Sequence, residues 1–130
     1  MASEKKNKII PKSSILFYVI FFLLFGILLN IFYRPYIYQN NLYDFGLSDM
    51  GINISFVPFT YFFLLLIRNK FYFGVYKDIF FHSIILIFIE ILSAFINGIG
   101  VFDFKDIFGI ILGMIVTVII VLTECFRYKG

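Results

Sequence analysis

Four long apolar runs occupy most of this 130-residue chain, and they constrain its fold more than any other feature. A hydrocarbon core about 30 Å thick needs roughly 20 apolar residues in a helix. Runs that meet or approach this length cover residues 15–33, 51–67, 79–97 and 107–123. The sequence therefore predicts an all-α, polytopic membrane protein in which four transmembrane helices form a bundle.

The composition agrees with that class. Hydrophobic residues make up 62% of the chain and aromatic residues 22%, with a mean hydropathy of +0.97, whereas a soluble domain is about half apolar. The four runs leave no length for a second domain, so residues 1–130 are predicted to form a single membrane domain. Membrane lipids are its expected partners, and nucleic acid is not.

Lysine and arginine are distributed unevenly around the four runs. Of the 11 basic residues, all but Arg34 and Lys105 lie in the N-terminal tail, the segment between the second and third runs, or the C-terminal tail. Cytoplasmic segments of membrane proteins are enriched in these residues. The asymmetry predicts a multi-pass membrane protein with both termini in the cytoplasm.

Two other topologies fit the sequence less well. The first run could be a signal peptide, but bulky Ile31, Phe32 and Tyr33 end it where a cleavage site needs small residues. A three-span chain, with residues 51–67 re-entrant, would place the basic C-terminal tail outside and break the charge rule. The four-span arrangement is therefore preferred.

One carboxylate, Glu90, lies well inside an apolar run, between Ile79 and Ile96. On insertion scales a charge at the centre of a membrane helix costs at least about 2.5–3.5 kcal/mol, so such residues are rare and usually functional. Counted at about 1.5 Å per residue, Glu90 lies nearer the outer surface. We interpret it as a site residue; the structural alternative is a hydrogen bond across helices to Asn53 or Ser55.

Other polar residues fall at the same level as Glu90. Asn97 is seven residues further along the third span and therefore shares its helical face. The others lie at the outer ends of the second and fourth spans: Asp49, Asn53, Asp103 and Asp106. We predict that these residues converge on one outward-facing, acidic pocket that binds a ligand. For Asp49 and Asp106, capping of a helix N-terminus is the alternative.

The fourth span contains a Gly-x-x-x-Gly pattern formed by Gly109 and Gly113. Glycines at this spacing let a second helix approach closely. We interpret the pattern as helix packing within the chain, and a homodimer face is the alternative. Pro58 lies inside the second span and predicts a kink there.

The sequence lacks the residue patterns of common catalytic and metal sites. Cys125 is the only cysteine and His82 the only histidine, so no cluster has metal-ligand spacing. His82 follows Asp78 by four residues, and the two are predicted to form a solvated or interfacial pair. No metal or cofactor is predicted. No nucleophile–base pair is visible, so catalysis is left open, with a non-catalytic role favoured.

Three short stretches carry a resemblance to a known family: NISFVPF at 53–59, IEILS at 89–93 and FDFKDIFGIILG at 102–113. Their residue types and spacing resemble the VanZ-like family of small bacterial membrane proteins, over roughly residues 49–120. The arginine that often precedes the aspartate in related sequences is absent, since Gly100 and Val101 stand there. The resemblance implies a cell-envelope protein of the bacterial plasma membrane, acting at the outer leaflet on lipid-linked or glycopeptide-type molecules. The family takes its name from resistance to the glycopeptide antibiotic teicoplanin.

Two further function classes remain open from the sequence. A chain with so little mass outside the membrane suits a small non-catalytic subunit of a larger membrane complex for secretion, transport or motility. It also suits an oligomeric transporter or channel that uses Glu90. Because four helices enclose little space, such a pathway would need a homodimer, with Gly109 and Gly113 at its interface.

Overall fold

The computed structural model describes residues 10–68, 75–93, 95–96 and 104–127, and these are almost entirely helical. Its elements are, in order, α1 (Lys12–Leu28), a π-helical segment (Leu29–Tyr33), α2 (Arg34–Gln39), α3 (Leu47–Arg68), α4 (Val75–Ser93) and α5 (Phe104–Arg127). No β-strand occurs in the described ranges, so the predicted all-α class is confirmed for them.

Three of the described helices are long and apolar enough to cross a membrane: Lys12–Gln39, Leu47–Arg68 and Phe104–Glu124. Helix α4 is continuous but carries three charged side chains, Lys77, Asp78 and Glu90. The conclusion that the chain is a membrane protein therefore depends on these three helices. A fourth span at α4 depends on how its charges are neutralised.

The first helix extends beyond the predicted end of its span. The predicted first span ends at Tyr33, before Arg34, and Pro35 disfavours a helical conformation in the residue that precedes it. Instead, the Arg34 N–H donates to the carbonyl oxygen of Leu29, five residues back, and the chain continues as α2. The wider π-helical turn accommodates Pro35. Proline has no N–H to donate to the backbone hydrogen bonds of a helix, and its ring would clash with the preceding turn of an α-helix.

Helix α3 lies at the centre of the packing, between α1 and α5, and α4 packs mainly on α5. Gly109 faces Met50 and Asn53, while Gly113 faces Val57, so α3 and α5 run in the same direction. Both glycines are buried, and they lie against α3 of the same chain.

Helices α1 and α3 run in opposite directions, because Gly26 faces Ser55 and Leu29 faces Gly51. Helix α4 is likewise antiparallel to α3. The bundle therefore has two ends. We call the one with the start of α1 and the ends of α3 and α5 the basic end, and the opposite one the acidic end.

The apolar core lies toward the basic end. Its buried side chains come from four helices: Ile15, Val19, Phe22, Tyr61, Phe62, Leu65, Ile79 and Val121. Elsewhere the helices present large apolar side chains outward, and Phe32 and Ile67 are about two-thirds exposed. Exposed apolar surface on this scale suits a lipid environment.

Helix α3 begins earlier than predicted, and Asp44 stabilises its start. The Asp44 carboxylate accepts the Ser48 N–H at 2.7 Å and the Gly46 N–H at 3.2 Å. Burial by itself raises the pKa of the Asp44 carboxyl. The hydrogen bonds from Ser48, Tyr33 and Gly46 outweigh this effect, so the pKa of Asp44 lies below its usual value. Asp49, for which the sequence offered capping of this helix as the alternative role, lies inside its first turn.

Candidate functional site

Three of the predicted site residues meet at the acidic end. The amide of Asn53 on α3 donates to the carboxylate of Asp106 on α5, with 3.0 Å between Nδ2 and Oδ1. Glu90 on α4 lies close enough to the same Asp106 for the two carboxyl groups to interact. Three helices therefore meet at Asp106, and we call Glu90 and Asp106 the carboxyl pair.

The close packing of α3 on α5 brings Asn53 within reach of Asp106. Asp106 lies nearly one turn before Gly109, on the side of α5 that faces α3. A Cβ atom at position 109 would lie 2.8 Å from Cβ of Asn53 and 2.8 Å from the carbonyl oxygen of Met50. Only glycine permits this separation, and the hydrogen bond from Asn53 spans it.

The carboxyl pair offers carboxylate oxygens from two helices beside the amide of Asn53. Carboxylate oxygens accept hydrogen bonds from hydroxyl and amine groups, and the amide both donates and accepts. Glu90, Asp106 and Asn53 are all partly exposed, so a ligand can reach them.

A second acidic group, Asp49, lies one helical turn before Asn53 on α3. Its carboxylate accepts hydrogen bonds from the Tyr38 hydroxyl and from Lys105 Nζ, the latter at 3.2 Å. Arg34 lies 3.7 Å away and stacks over the Tyr38 ring. Asp49 is therefore neutralised by two cations, unlike the carboxyl pair.

An open pocket of about 340 Å³ lies beside Asp49, and its polar walls come from Tyr38, Asp44, Asp49 and Lys105. Lys105 precedes Asp106 in α5, so the pocket and the carboxyl pair are neighbours at the acidic end. Carboxylates, phenol hydroxyls and one lysine can hydrogen-bond hydroxyl and ammonium groups of a polar ligand.

The structure thus brings together Glu90, Asp106 and Asn53 and places Asp49 one turn away with different partners. Asn97 and Asp103 lie outside the described residues. Glycines 109 and 113 support the carboxyl pair indirectly, through the packing of α3 on α5. In the described ranges, no three His, Cys, Asp or Glu side chains are grouped as a metal site requires.

The basic end holds a buried ion pair that sequence reasoning missed. Asp78, expected to be solvated with His82, is only 4% exposed and accepts two bonds from Arg68 and one from Tyr61. His82 instead lies 2.9 Å from the Thr60 hydroxyl. Charges near helix ends usually face water, and only the packing of α4 on α3 shows that Asp78 is enclosed.

A further buried carboxylate, Glu124, was also missed, because it follows the end of the fourth apolar run. Helix α5 continues to Arg127 and buries Glu124 to 4% exposure. The Tyr18 hydroxyl donates to its Oε1 at 2.5 Å. The only feature of the sequence that could have identified Glu124 was its spacing from Arg127, since residues three apart lie on the same face of a helix.

Comparison of the chain with protein-family models, curated proteins and solved structures finds no match. The VanZ-like resemblance therefore stays a prediction that rests on the short stretches quoted above.

Proposed function

We propose that the protein spans the bacterial plasma membrane four times, with both termini in the cytoplasm. Its support is the pairing of the charges on α4. Asp78 is matched by Arg68, Glu90 lies beside Asp106 near the acidic end, and Lys77 lies in the first turn, where its long side chain can reach the interface. With its charges matched in this way, α4 can cross a membrane.

The distribution of basic residues over the two ends supports the orientation. Lys12, Arg68, Lys77 and Arg127 lie at the basic end, which would face the cytoplasm. Both basic residues at the acidic end, Arg34 and Lys105, form ion pairs with one aspartate. The acidic end, with the carboxyl pair, would then face outward.

Site-directed labelling tests this topology. In a Cys125→Ser background, we expect Tyr43→Cys, 82% exposed in the loop after α2, to react with a membrane-impermeant maleimide on intact cells. Lys12→Cys and Phe126→Cys should react only after permeabilisation. Labelling of both Tyr43→Cys and Phe126→Cys on intact cells would instead indicate three spans. Labelling of Lys12→Cys and Phe126→Cys without Tyr43→Cys would reverse the orientation.

We further propose that the outward-facing carboxyl pair is a binding site for a lipid-linked or glycopeptide-type molecule of the cell envelope. The observation that carries this is the joining of Glu90, Asp106 and Asn53 from three helices. Such molecules are rich in the hydroxyl and amine groups that carboxylates bind. Binding needs no catalytic step, which agrees with the lack of a visible nucleophile–base pair.

Antibiotic susceptibility tests the proposed site. We expect the inhibitory concentration of teicoplanin to be higher for bacteria that express the protein than for bacteria that lack it. Glu90→Gln or Asp106→Asn should lower the inhibitory concentration to that of bacteria without the protein. Both variants remove a negative charge and keep side-chain size, so membrane abundance should stay unchanged. Glu124→Gln, the same substitution at the other end, is the matched control and should keep full protection.

Two outcomes would contradict the proposal. Full protection by both Glu90→Gln and Asp106→Asn would show that the carboxyl pair is not the site. Absence of protection by the wild-type protein at normal membrane abundance would reject the envelope function itself. Loss of abundance in the variants, in contrast, would assign the pair a structural role in joining the helices.

A further inference from the structure

A pocket of about 260 Å³ lies at the basic end, remote from the carboxyl pair. The start of α1 and the end of α5 form its walls, with Ser13, Ser14, Phe17, Tyr18, Glu124 and Arg127 lining it. It therefore combines hydroxyls, a carboxylate and a guanidinium at the level where a membrane helix begins. This mixture of opposite charges suits a ligand that also carries both.

Glu124 is the acidic wall of this pocket, and its pairing is incomplete. The Tyr18 hydroxyl donates a hydrogen bond to Oε1 of Glu124. The other oxygen, Oε2, is buried and has no hydrogen-bond partner among the described residues. A buried carboxylate oxygen without a partner is costly, and a cation with N–H donors would satisfy it best. Glu124 is only 4% exposed, at the point where the Tyr18 side chain of α1 reaches α5, so the site is built into the bundle.

The opposite wall offers groups that bind an anion. Helix α1 starts after Pro11 with no side-chain cap among the described residues. The first backbone hydrogen bond comes from the Ser14 N–H to the Pro11 carbonyl oxygen, so the N–H groups of Lys12 and Ser13 point toward this end without an intrahelical acceptor. Ser13 and Ser14 add hydroxyls in the first turn, and Arg127 adds a guanidinium. Phosphate groups bind readily at helix N-termini and to arginine.

We propose that this pocket binds a zwitterionic headgroup in which a primary ammonium follows a phosphate, as in phosphatidylethanolamine. The ammonium donates to Glu124, and the phosphate accepts from Arg127, the Ser13 hydroxyl and the start of α1. The acyl chains then lie along the exposed apolar side chains of α1. The site is independent of the carboxyl pair, because the two lie at opposite ends of the bundle.

The chemistry distinguishes this headgroup from other common ones. Phosphatidylcholine carries three methyl groups in place of the N–H donors, so it cannot hydrogen-bond a carboxylate. Phosphatidylglycerol has the phosphate but no cation, and it would leave the Glu124 oxygen unpaired. Selectivity for a primary amine is therefore the signature expected of this pocket.

Native mass spectrometry of the full chain tests the proposal with all three lipids as probes. We expect the wild type to retain phosphatidylethanolamine about tenfold more strongly than phosphatidylcholine or phosphatidylglycerol, a difference typical of one charge-assisted hydrogen bond. Glu124→Gln should abolish this preference. Arg127→Gln should weaken binding of phosphatidylethanolamine and phosphatidylglycerol alike, since both carry the phosphate.

A variant and a competitor complete the test. Asp49→Asn removes a carboxylate at the opposite end of the bundle and should keep the preference, so it separates ligand binding from a general effect of charge removal. Displacement of the lipid by soluble phosphoethanolamine would support headgroup recognition. Binding of phosphoethanolamine without the lipid preference would identify the free compound as the source of the same chemistry.

Equal retention of the three lipids by the wild type, together with no binding of phosphoethanolamine, would overturn the proposal. That result is expected if an amine of the chain's own N-terminal lysines neutralises Glu124. A preference for phosphatidylethanolamine that survives in Glu124→Gln would also overturn it, because the selectivity would then arise elsewhere.

Discussion

Replacing Asp78 by asparagine should destabilise the protein more than any other single charge removal. The substitution keeps the shape but leaves Arg68, whose side chain is 19% exposed, without its anionic partner at the basic end. Removing one member of a buried ion pair costs about 3–5 kcal/mol, because the remaining charge stays desolvated. The loss is measured as a lower midpoint of unfolding in detergent, by heat or by titration with a denaturing detergent.

Asp49→Asn provides the matched control for Asp78→Asn. It is the same change at the ion pair of Asp49 with Lys105, whose side chain is 50% exposed. We therefore expect the free energy of unfolding to fall by only about 0–1 kcal/mol. Replacing both Arg68 and Asp78 by apolar residues of similar size should cost less than Asp78→Asn alone. If Asp78→Asn costs no more than Asp49→Asn, the pair at the basic end is hydrated and does not stabilise the bundle.

Alanine at position 109 or 113 should separate α3 from α5. At 113 the added Cβ would lie 2.8 Å from Cβ of Val57 and 3.0 Å from the carbonyl oxygen of Ile54, and at 109 a backbone oxygen is equally close. Overpacking of this kind costs about 1–3 kcal/mol, because a helix backbone cannot move locally. Gly109→Ala should also weaken the bond between Asn53 and Asp106, and with it any activity of the carboxyl pair.

Gly26→Ala is the control for these two substitutions. Its added Cβ would lie 2.8 Å from the Ser55 hydroxyl, which can rotate away, and the helix gains about 0.5–1 kcal/mol from replacing glycine. We therefore expect a smaller change than at Gly109. If Gly109→Ala dissociates a dimer and leaves the unfolding of the monomer unchanged, the glycines form a dimer face and not a packing face within the chain.

The helices and their approximate positions follow from the sequence because apolar length is a local property. Each predicted span lies within or largely within a helix, yet the ends differ by several residues. The first helix passes Pro35, and α3 starts before Asp49 because Asp44 accepts its free N–H groups. Such ends depend on turns and caps that periodicity does not encode.

The candidate site could be predicted only in part. Glu90 was identified by the cost of a charge in an apolar run, and Asn53 and Asp106 by their depth. Depth does not tell which side chains face each other, since that depends on the rotation of each helix about its axis. The same limit hid Asp78 and Glu124, whose positions near helix ends suggested contact with water.

The sequence by itself determined that this is an all-α chain suited to a membrane, because burying long apolar runs away from water dominates its free energy. It also determined where basic residues concentrate. Only the tertiary structure decided which polar groups are paired. The stagger of α3 against α5, set by Gly109 and Gly113, brings Asn53 to Asp106. The Tyr18 side chain of α1 reaches Glu124 near the end of α5, where Glu124 is buried.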